Sequence, residues 1–346
     1  MESFVRYGFG AEKVPGYDCS VMNRTREEWY ALGETNYPFG IFFLIYGFLT
    51  QFIYLFILQA MWKRKGSNTC YSIMFVLGIY DILNLAVNSD MTGYFLLLGS
   101  CFCTHPNLNY ISGSIAVSVW CGACLSCLIL VVNRLCDLWN PIFTEKLFGG
   151  WKVLLWIAAP VVYTLYFSFF TPPVAFNSKM TAWFFNPFIL GTPEEMASFH
   201  NIPHTVNNLC VVVITSFLYL LLILLLGHKY GLQGMSNISK VQRSIVIQSV
   251  LICSASLAAS FLYVYMQFFP VPIWLITVSQ GCWQASHGIP AFVYLTLNKT
   301  IRADVLKTLH LARMCRVSIN ISFQQQAPPS HSFEQSLRTT ESLHGL

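Results

Sequence analysis

Residues 39–62 read FGIFFLIYGFLTQFIYLFILQAMW, and Lys63-Arg64-Lys65 follow at once. An uncharged run of about 24 residues exceeds the ~20 that a helix needs to cross a ~30 Å hydrocarbon core. Lipid offers the backbone no hydrogen-bonding partner, so such a run must be helical. Working outward, the same texture recurs at Cys70–Leu98, Tyr110–Asn133, Trp151–Val174, Pro203–Gly227, Ser244–Phe268 and Pro272–Asn298. The expected fold is therefore an all-α membrane protein, a bundle of seven transmembrane helices. Seven crossings place the two termini on opposite faces.

Composition agrees. The 346 residues are 55% hydrophobic and 10% charged, with mean hydropathy +0.54, whereas soluble domains carry about 25% charged residues. Basic residues choose the side, because cytoplasmic loops retain Lys and Arg. With the N-terminus outside, fifteen of the 20 fall inside, led by Lys63–Lys65; Arg6, Lys13, Arg24, Arg26 and Lys179 remain outside. The organisation expected is an extracellular segment over 1–38, the bundle over 39–298, an amphipathic surface helix over 299–315 and a disordered cytoplasmic tail over 316–346. Residues 1–38 lack the apolar core of a signal peptide, so the first span is expected to serve as insertion signal. Asn23-Arg24-Thr25 is a glycosylation sequon on the outer side. The sequons at Asn237, Asn298 and Asn320 fall inside, where they stay unmodified.

Polar residues within the spans are the functional candidates, since burying them in lipid is expensive. Asp81 lies mid-span, either as a sodium ligand or as a protonated hydrogen-bonding node. Asp90, nearer the outer surface, either faces a ligand or reaches water. Gln280, Trp283, Gln284 and His287 share one face of the seventh span, which must point inward, toward a ligand or toward neighbouring helices. His204, Asn207 and Asn208 at the head of the fifth span, with Tyr263 and Gln267 near the end of the sixth, suit a pocket. Arg134 ends the third span, as an interfacial charge or as a switch contacting a partner. The third span carries small residues, Gly113, Ser114, Ser118, Gly122, Ala123 and Ser126, that let helices approach closely. It should be central.

Of the twelve cysteines, Cys19, Cys101 and Cys103 lie in oxidising territory. Cys19 is expected to pair with Cys101 or Cys103, tying the N-terminal segment to the top of the third span. No metal set is expected, because no His accompanies Cys121, Cys124 and Cys127. The loop 175–202, rich in aromatics and turn formers (Trp183, Phe184, Phe185, Asn186-Pro187), reads as a lid on the bundle. After the last span, Ile301, Val305, Leu309 and Ala312 share a helical face. Cys315 is a palmitoylation site or a free thiol. The tail is a phosphorylation target or simply a solvated end. No hydrolase, metalloprotease or phosphate-loop signature is present, so neither catalysis nor a cofactor is expected.

The chain resembles the nematode serpentine chemoreceptors of class T, seven-transmembrane G-protein-coupled receptors, over about residues 15–312. The resemblance rests on Tyr17-Asp18-Cys19, Cys70-Tyr71-x-Ile73-Met74-x-x-Leu77-Gly78-Ile79-x-Asp81, Leu147-Phe148-x-Gly150, His204-x-x-Asn207-Asn208 and Trp283-x-x-x-His287-Gly288-x-Pro290. Rhodopsin-like receptors are a looser match through Asp81, Trp156 with Pro160, and Tyr294-x-x-x-Asn298-Lys299-x-x-Arg302. Departures accompany that match. Asn133 rather than an acid precedes Arg134, leaving Asp137 to restrain it if anything does. Pro290 lies four residues before Tyr294, the sixth span has no Cys-Trp-x-Pro, and the outer loop lacks a stapling cysteine.

The resemblance implies a plasma-membrane chemosensory receptor that binds a small, odorant-like ligand from outside and activates a heterotrimeric G protein. Lipid surrounds it, arrestin at the tail is a further partner, and nucleic acid is not one. The ligand set expected is Asp90, His204, Asn207, Asn208, Gln280, Trp283, Gln284 and His287. The coupling set is Asp81, Arg134, Pro290 and Tyr294. A seven-helix transporter or ligand-gated channel is the alternative. It would need a polar path that the apolar inner halves of the spans do not provide.

Overall fold

The computed structural model describes residues 1–188, 199–230 and 240–310. Cys315, the tail, Ala312 and residues 231–239 of the basic loop lie outside the described residues. Seven long helices carry residues 1–302, one compact unit: α1 (Tyr37–Arg64), α2 (Thr69–Leu98), α3 (Pro106–Trp139), α4 (Lys152–Phe170), α5 (Ile202–Tyr230), α6 (Lys240–Phe268) and α7 (Ile273–Leu297). Local chemistry sets their starts. Asn36 accepts the Phe39 N–H at 3.2 Å with Pro38 in the first turn of α1, and Asn68 accepts the Cys70 N–H at 2.8 Å before α2. Among the described residues, α1 to α6 are each apolar and long enough to cross a membrane. Helix α7 spans about 37 Å at ~1.5 Å per residue, but Gln280, Gln284 and His287 in its middle dilute its apolarity, and all three are buried. Its apolar count understates it because its polar atoms face protein.

α3 is the axis. In its most apolar window 78% of residues are buried, against 11% in α4. It packs on α2, α4, α5 and α6. Gly122 makes part of this possible: a Cβ there would overlap the Tyr80 ring of α2 and the Thr164 hydroxyl of α4, which themselves hydrogen-bond at 2.9 Å. Gly288 plays the same part between α7 and α1, where a Cβ would overlap the Tyr46 hydroxyl.

α2 is not one regular helix. Residues 86–91 wind as a π-helix between Thr69–Leu85 and Thr92–Leu98, a feature often found at functional positions. The wider turn sends Asn88 and Ser89 toward α7 and Asp90 toward Gln51 of α1.

At the Cys103 end, residues 1–36 form an ordered cap containing short helices at Glu2–Arg6 and Arg26–Ala31. Phe4, Ala11, Val14, Tyr17 and Trp29 bury against Phe102 and Tyr110 at the head of α3. Cys19 is joined to Cys103, so the structure selects one of the two partners left open above. Cys101 stays a thiol beside the Trp29 carbonyl; burial pushes its pKa up, which holds it neutral and a poor nucleophile. The loop after α4 forms a hairpin, β1 (Ala175–Asn177) antiparallel to β2 (Ala182–Phe184), with Phe176 opposite Trp183. Residues 299–310 are helical, and Asn298 accepts the Ile301 N–H at 3.0 Å to start them. On the expected apolar face Ile301 and Val305 are buried, whereas Leu309 is exposed.

Candidate functional site

Beneath the hairpin lies a cavity of about 430 Å³, within the ~300–1,000 Å³ range of small-molecule sites. α3 supplies Ala116, Val117 and Trp120, α6 supplies Tyr263, Met266 and Gln267, and α7 supplies Ile276 and Trp283. The hairpin and its exit cover it with Trp183, Phe184, Phe185 and Asn186, and His204 enters from the first turn of α5. Trp120 and Trp283 lie deepest along their helices, with ring centroids 6.4 Å apart and nearly perpendicular; Tyr263 meets Trp283 in the same way at 6.3 Å. Among the described residues lining the cavity there is no Asp, Glu, Lys or Arg.

Two hydrogen-bonded anchors hold the lid. Asn109 in the first turn of α3 accepts the Phe176 N–H at 2.8 Å and donates to the Phe176 carbonyl at 3.4 Å, and Trp183 Nε1 donates to Thr92 Oγ1 at 2.9 Å. These polar anchors hold the hairpin on α3 and α2 although its described residues contain no cysteine. Asn109 was not among the expected functional residues. Its legible signal was an amide at the head of the small-residue helix.

Of the eight residues expected to bind ligand, the cavity is lined by His204 and Trp283. The other six are occupied elsewhere. Gln280 donates to the Asn88 carbonyl at 3.1 Å and Gln284 to Ser89 Oγ at 2.7 Å, so most of the inward α7 face meets the π-segment of α2. His287 Nδ1 sits 2.8 Å from Asp81 Oδ1. Asn208 accepts from Trp120 Nε1 at 2.8 Å and from Asn207 at 3.0 Å, while Tyr163 donates to Asn207 at 3.2 Å. Asp90 is hydrogen-bonded to Gln51. The physical reason is partial satisfaction: in an apolar interior an amide left without a partner costs about 1–3 kcal/mol, and neighbouring helices supply each of these residues with at least one. The sequence clue to the α2 half of this network was the polar run Asn84-x-x-x-Asn88-Ser89-Asp90 inside a span.

Below the cavity lies a second polar cluster, joined to the first by ring packing through Trp120. Trp283 gives its carbonyl to Asn88 Nδ2 at 3.3 Å, and the His287 ring packs edge-on against Trp120 at 5.7 Å. The Tyr54 hydroxyl donates to Asp81 Oδ2 at 2.7 Å and lies 3.1 Å from the His287 carbonyl. Asp81 is thereby enclosed by α1 and α7 partners, the arrangement of a hydrogen-bonding node.

The Arg134 end is shut. Arg134 is buried, its guanidinium donating to Asn133 Oδ1 at 2.8 Å and lying 3.7 Å from Asp137, which supplies the negative charge that Asn133 lacks. Arg134, Tyr294, Gln248 and Asn298 surround a void of about 30 Å³, room for a water molecule. α6 and α7 are latched there: Ser244 donates to the Leu297 carbonyl at 2.7 Å, and Asn298 to Gln248 Oε1 at 3.2 Å. Pro290 lies within α7 one turn before buried Tyr294, whose hydroxyl has no hydrogen-bond partner among the described residues.

Comparison with known proteins agrees with this architecture. Residues 3–318 match the family model described as serpentine type 7TM GPCR chemoreceptor Srt. Serpentine receptor class T-55 of Caenorhabditis elegans is 29% identical over 310 residues, covering 88% of this chain and 83% of that protein. The crystal structure of squid rhodopsin superposes with a TM-score of 0.57 at 13% identity, over 84% of this chain and 88% of that one, a likeness of fold. The chain belongs to the Srt family of seven-transmembrane chemoreceptors. It is a multi-pass membrane receptor, not an enzyme.

Proposed function

We propose that this Srt-family receptor takes a small molecule into the cavity beneath the hairpin and passes the event to a heterotrimeric G protein at the Arg134 end. One observation carries the reading. The deep cavity residue Trp283 holds the α2 π-segment through its own carbonyl, and its ring packs on Trp120, which packs in turn on His287, the partner of Asp81. A ligand acts on such a bundle only by binding one arrangement better than the other. Contact with Trp283 changes how α7 sits on the π-segment. Beyond Pro290 that shift reaches Tyr294 and the Gln248–Asn298 latch, whose release opens α6 from α7 and frees Arg134 for the partner.

The cap end faces outside in this reading, and the tail, phosphorylated, meets arrestin. Asn23 is exposed in a left-handed turn, accessible to a glycosyltransferase; loss of a glycan-dependent gel shift in Asn23→Gln supports the orientation. The deciding experiment expresses the receptor in cells reporting second messengers and applies a library of small molecules. A response that disappears when the G proteins are deleted is expected. A ligand-evoked ion current that persists without them overturns the reading in favour of a channel.

A further inference from the structure

The cavity wall is unbalanced in its hydrogen bonding. Among the described residues, Trp283 Nε1, Asn186 Nδ2 and His204 Nδ1 are buried without a hydrogen-bond partner, and all three residues line the cavity. Trp283 and His204 are 5% and 8% exposed, so solvent does not serve them. The indole nitrogen only donates, and so does the Asn186 amide nitrogen, because the oxygen of that amide is already taken by the Phe188 N–H at 2.8 Å. The imidazole nitrogen adapts to either role. Around them stand Trp120, Trp183, Phe185 and Tyr263, with no charged side chain among the described lining residues. The nearby membrane carboxylates do not serve the cavity, since Asp81 is held by His287 and Tyr54 and Asp90 by Gln51.

Resting on the receptor reading above, we infer that the cavity selects a neutral, mainly apolar molecule carrying a hydrogen-bond acceptor without a donor, a carbonyl compound such as a ketone, ester or lactone. The aromatic walls bury its hydrocarbon part. Its carbonyl oxygen has two lone pairs and meets the waiting Trp283 and Asn186 donors. A carboxylate or an ammonium would enter a low-dielectric site with no counter-ion, which is strongly unfavourable. A plain hydrocarbon would leave the donors buried and unpaired. A site built to hydrogen-bond its ligand discriminates most sharply against the analogue that lacks the bonding group.

The test uses the purified full-length receptor and a skeleton-matched panel: medium-chain 2-ketones, methyl esters, alkanes, primary amines, quaternary ammonium salts and carboxylates. Binding is read as a ligand-dependent rise in thermal unfolding temperature, and coupling separately as second messenger in cells. Ketones and esters are expected to bind at least about tenfold more tightly than the alkanes, the equivalent of one net hydrogen bond, with amines and carboxylates not binding. Trp283→Phe keeps the ring and deletes the donor, so it should shrink the ketone-over-alkane preference about tenfold. If that variant does not fold, Asn186→Asp keeps the oxygen that caps Phe188 and removes the amide donor, and the same loss of preference is expected. Stabilisation by an ammonium salt or a carboxylate but by no ketone or ester overturns the ligand class, as does an equal loss of ketone and alkane binding in either variant. Stabilisation by no member of the panel overturns it too. Ketone binding without any second-messenger response leaves the ligand class standing and overturns the coupling reading instead.

Discussion

The two ends of the bundle are built on opposite principles. At the Cys103 end the helices leave a cavity of about 430 Å³ under a disulfide-tied cap and a hydrogen-bonded hairpin; at the Arg134 end they close on about 30 Å³. One end is tied by a disulfide as well as hydrogen bonds, the other, among the described residues, by hydrogen bonds alone, Ser244 to the Leu297 carbonyl, Asn298 to Gln248 and Arg134 to Asn133. On the proposed receptor reading, a covalently tied mouth and a lightly latched far end suit a two-state transducer. The binding site then holds its shape while the coupling face parts at small energetic expense.

The contrast is broken most severely by Arg134→Ala. Signalling should be abolished while surface staining persists, because the proposed reading puts this residue at the partner face on activation; normal signalling in that variant would sink the role. Next in size is the cap. The Cys19–Cys103 bridge closes a sequence separation of 84 residues, and Cys103→Ser should cost about 2–5 kcal/mol of stability, seen as a lower unfolding temperature and reduced surface expression. A smaller effect is expected of Asn109→Ala. It strips both backbone bonds from Phe176, at about 1–3 kcal/mol, and should weaken ligand binding more than it lowers ligand-free signalling. The mildest change, Gln248→Ala, removes one latch bond worth about 0.5–1.5 kcal/mol. Ligand-free signalling should rise a few-fold to about tenfold with ligand affinity slightly increased, since a ligand that prefers the open state then works against a smaller gap. A fall in ligand-free signalling would mean that the bond serves the open state.

Much of this organisation was legible in the residues. Seven apolar runs, the small-residue face of α3 and the inward polar face of α7 were all readable, because helical periodicity reports which side of a helix is shielded from lipid. Periodicity does not report what does the shielding. The face carrying Gln280, Gln284 and His287 was read as turned toward a ligand or toward neighbouring helices, and these residues meet Asn88, Ser89 and Asp81; one buried face looks the same in sequence whether it meets a molecule or a helix. The π-turn of α2 escaped notice because a single widened turn changes no residue type. Trp120 reads as one more core aromatic; only its neighbours make it a cavity wall.

By itself, then, the sequence determined the solvent, the number of crossings and the side of each helix that is shielded, all consequences of transferring side chains and peptide groups between water and lipid. The tertiary structure decided which cysteine partners Cys19, which amides are spent on neighbouring helices and which polar nitrogens, those of Trp283, Asn186 and His204, face the cavity without a partner among the described residues. Those are pairings between residues far apart in the chain. They depend on distances that only the packed bundle sets.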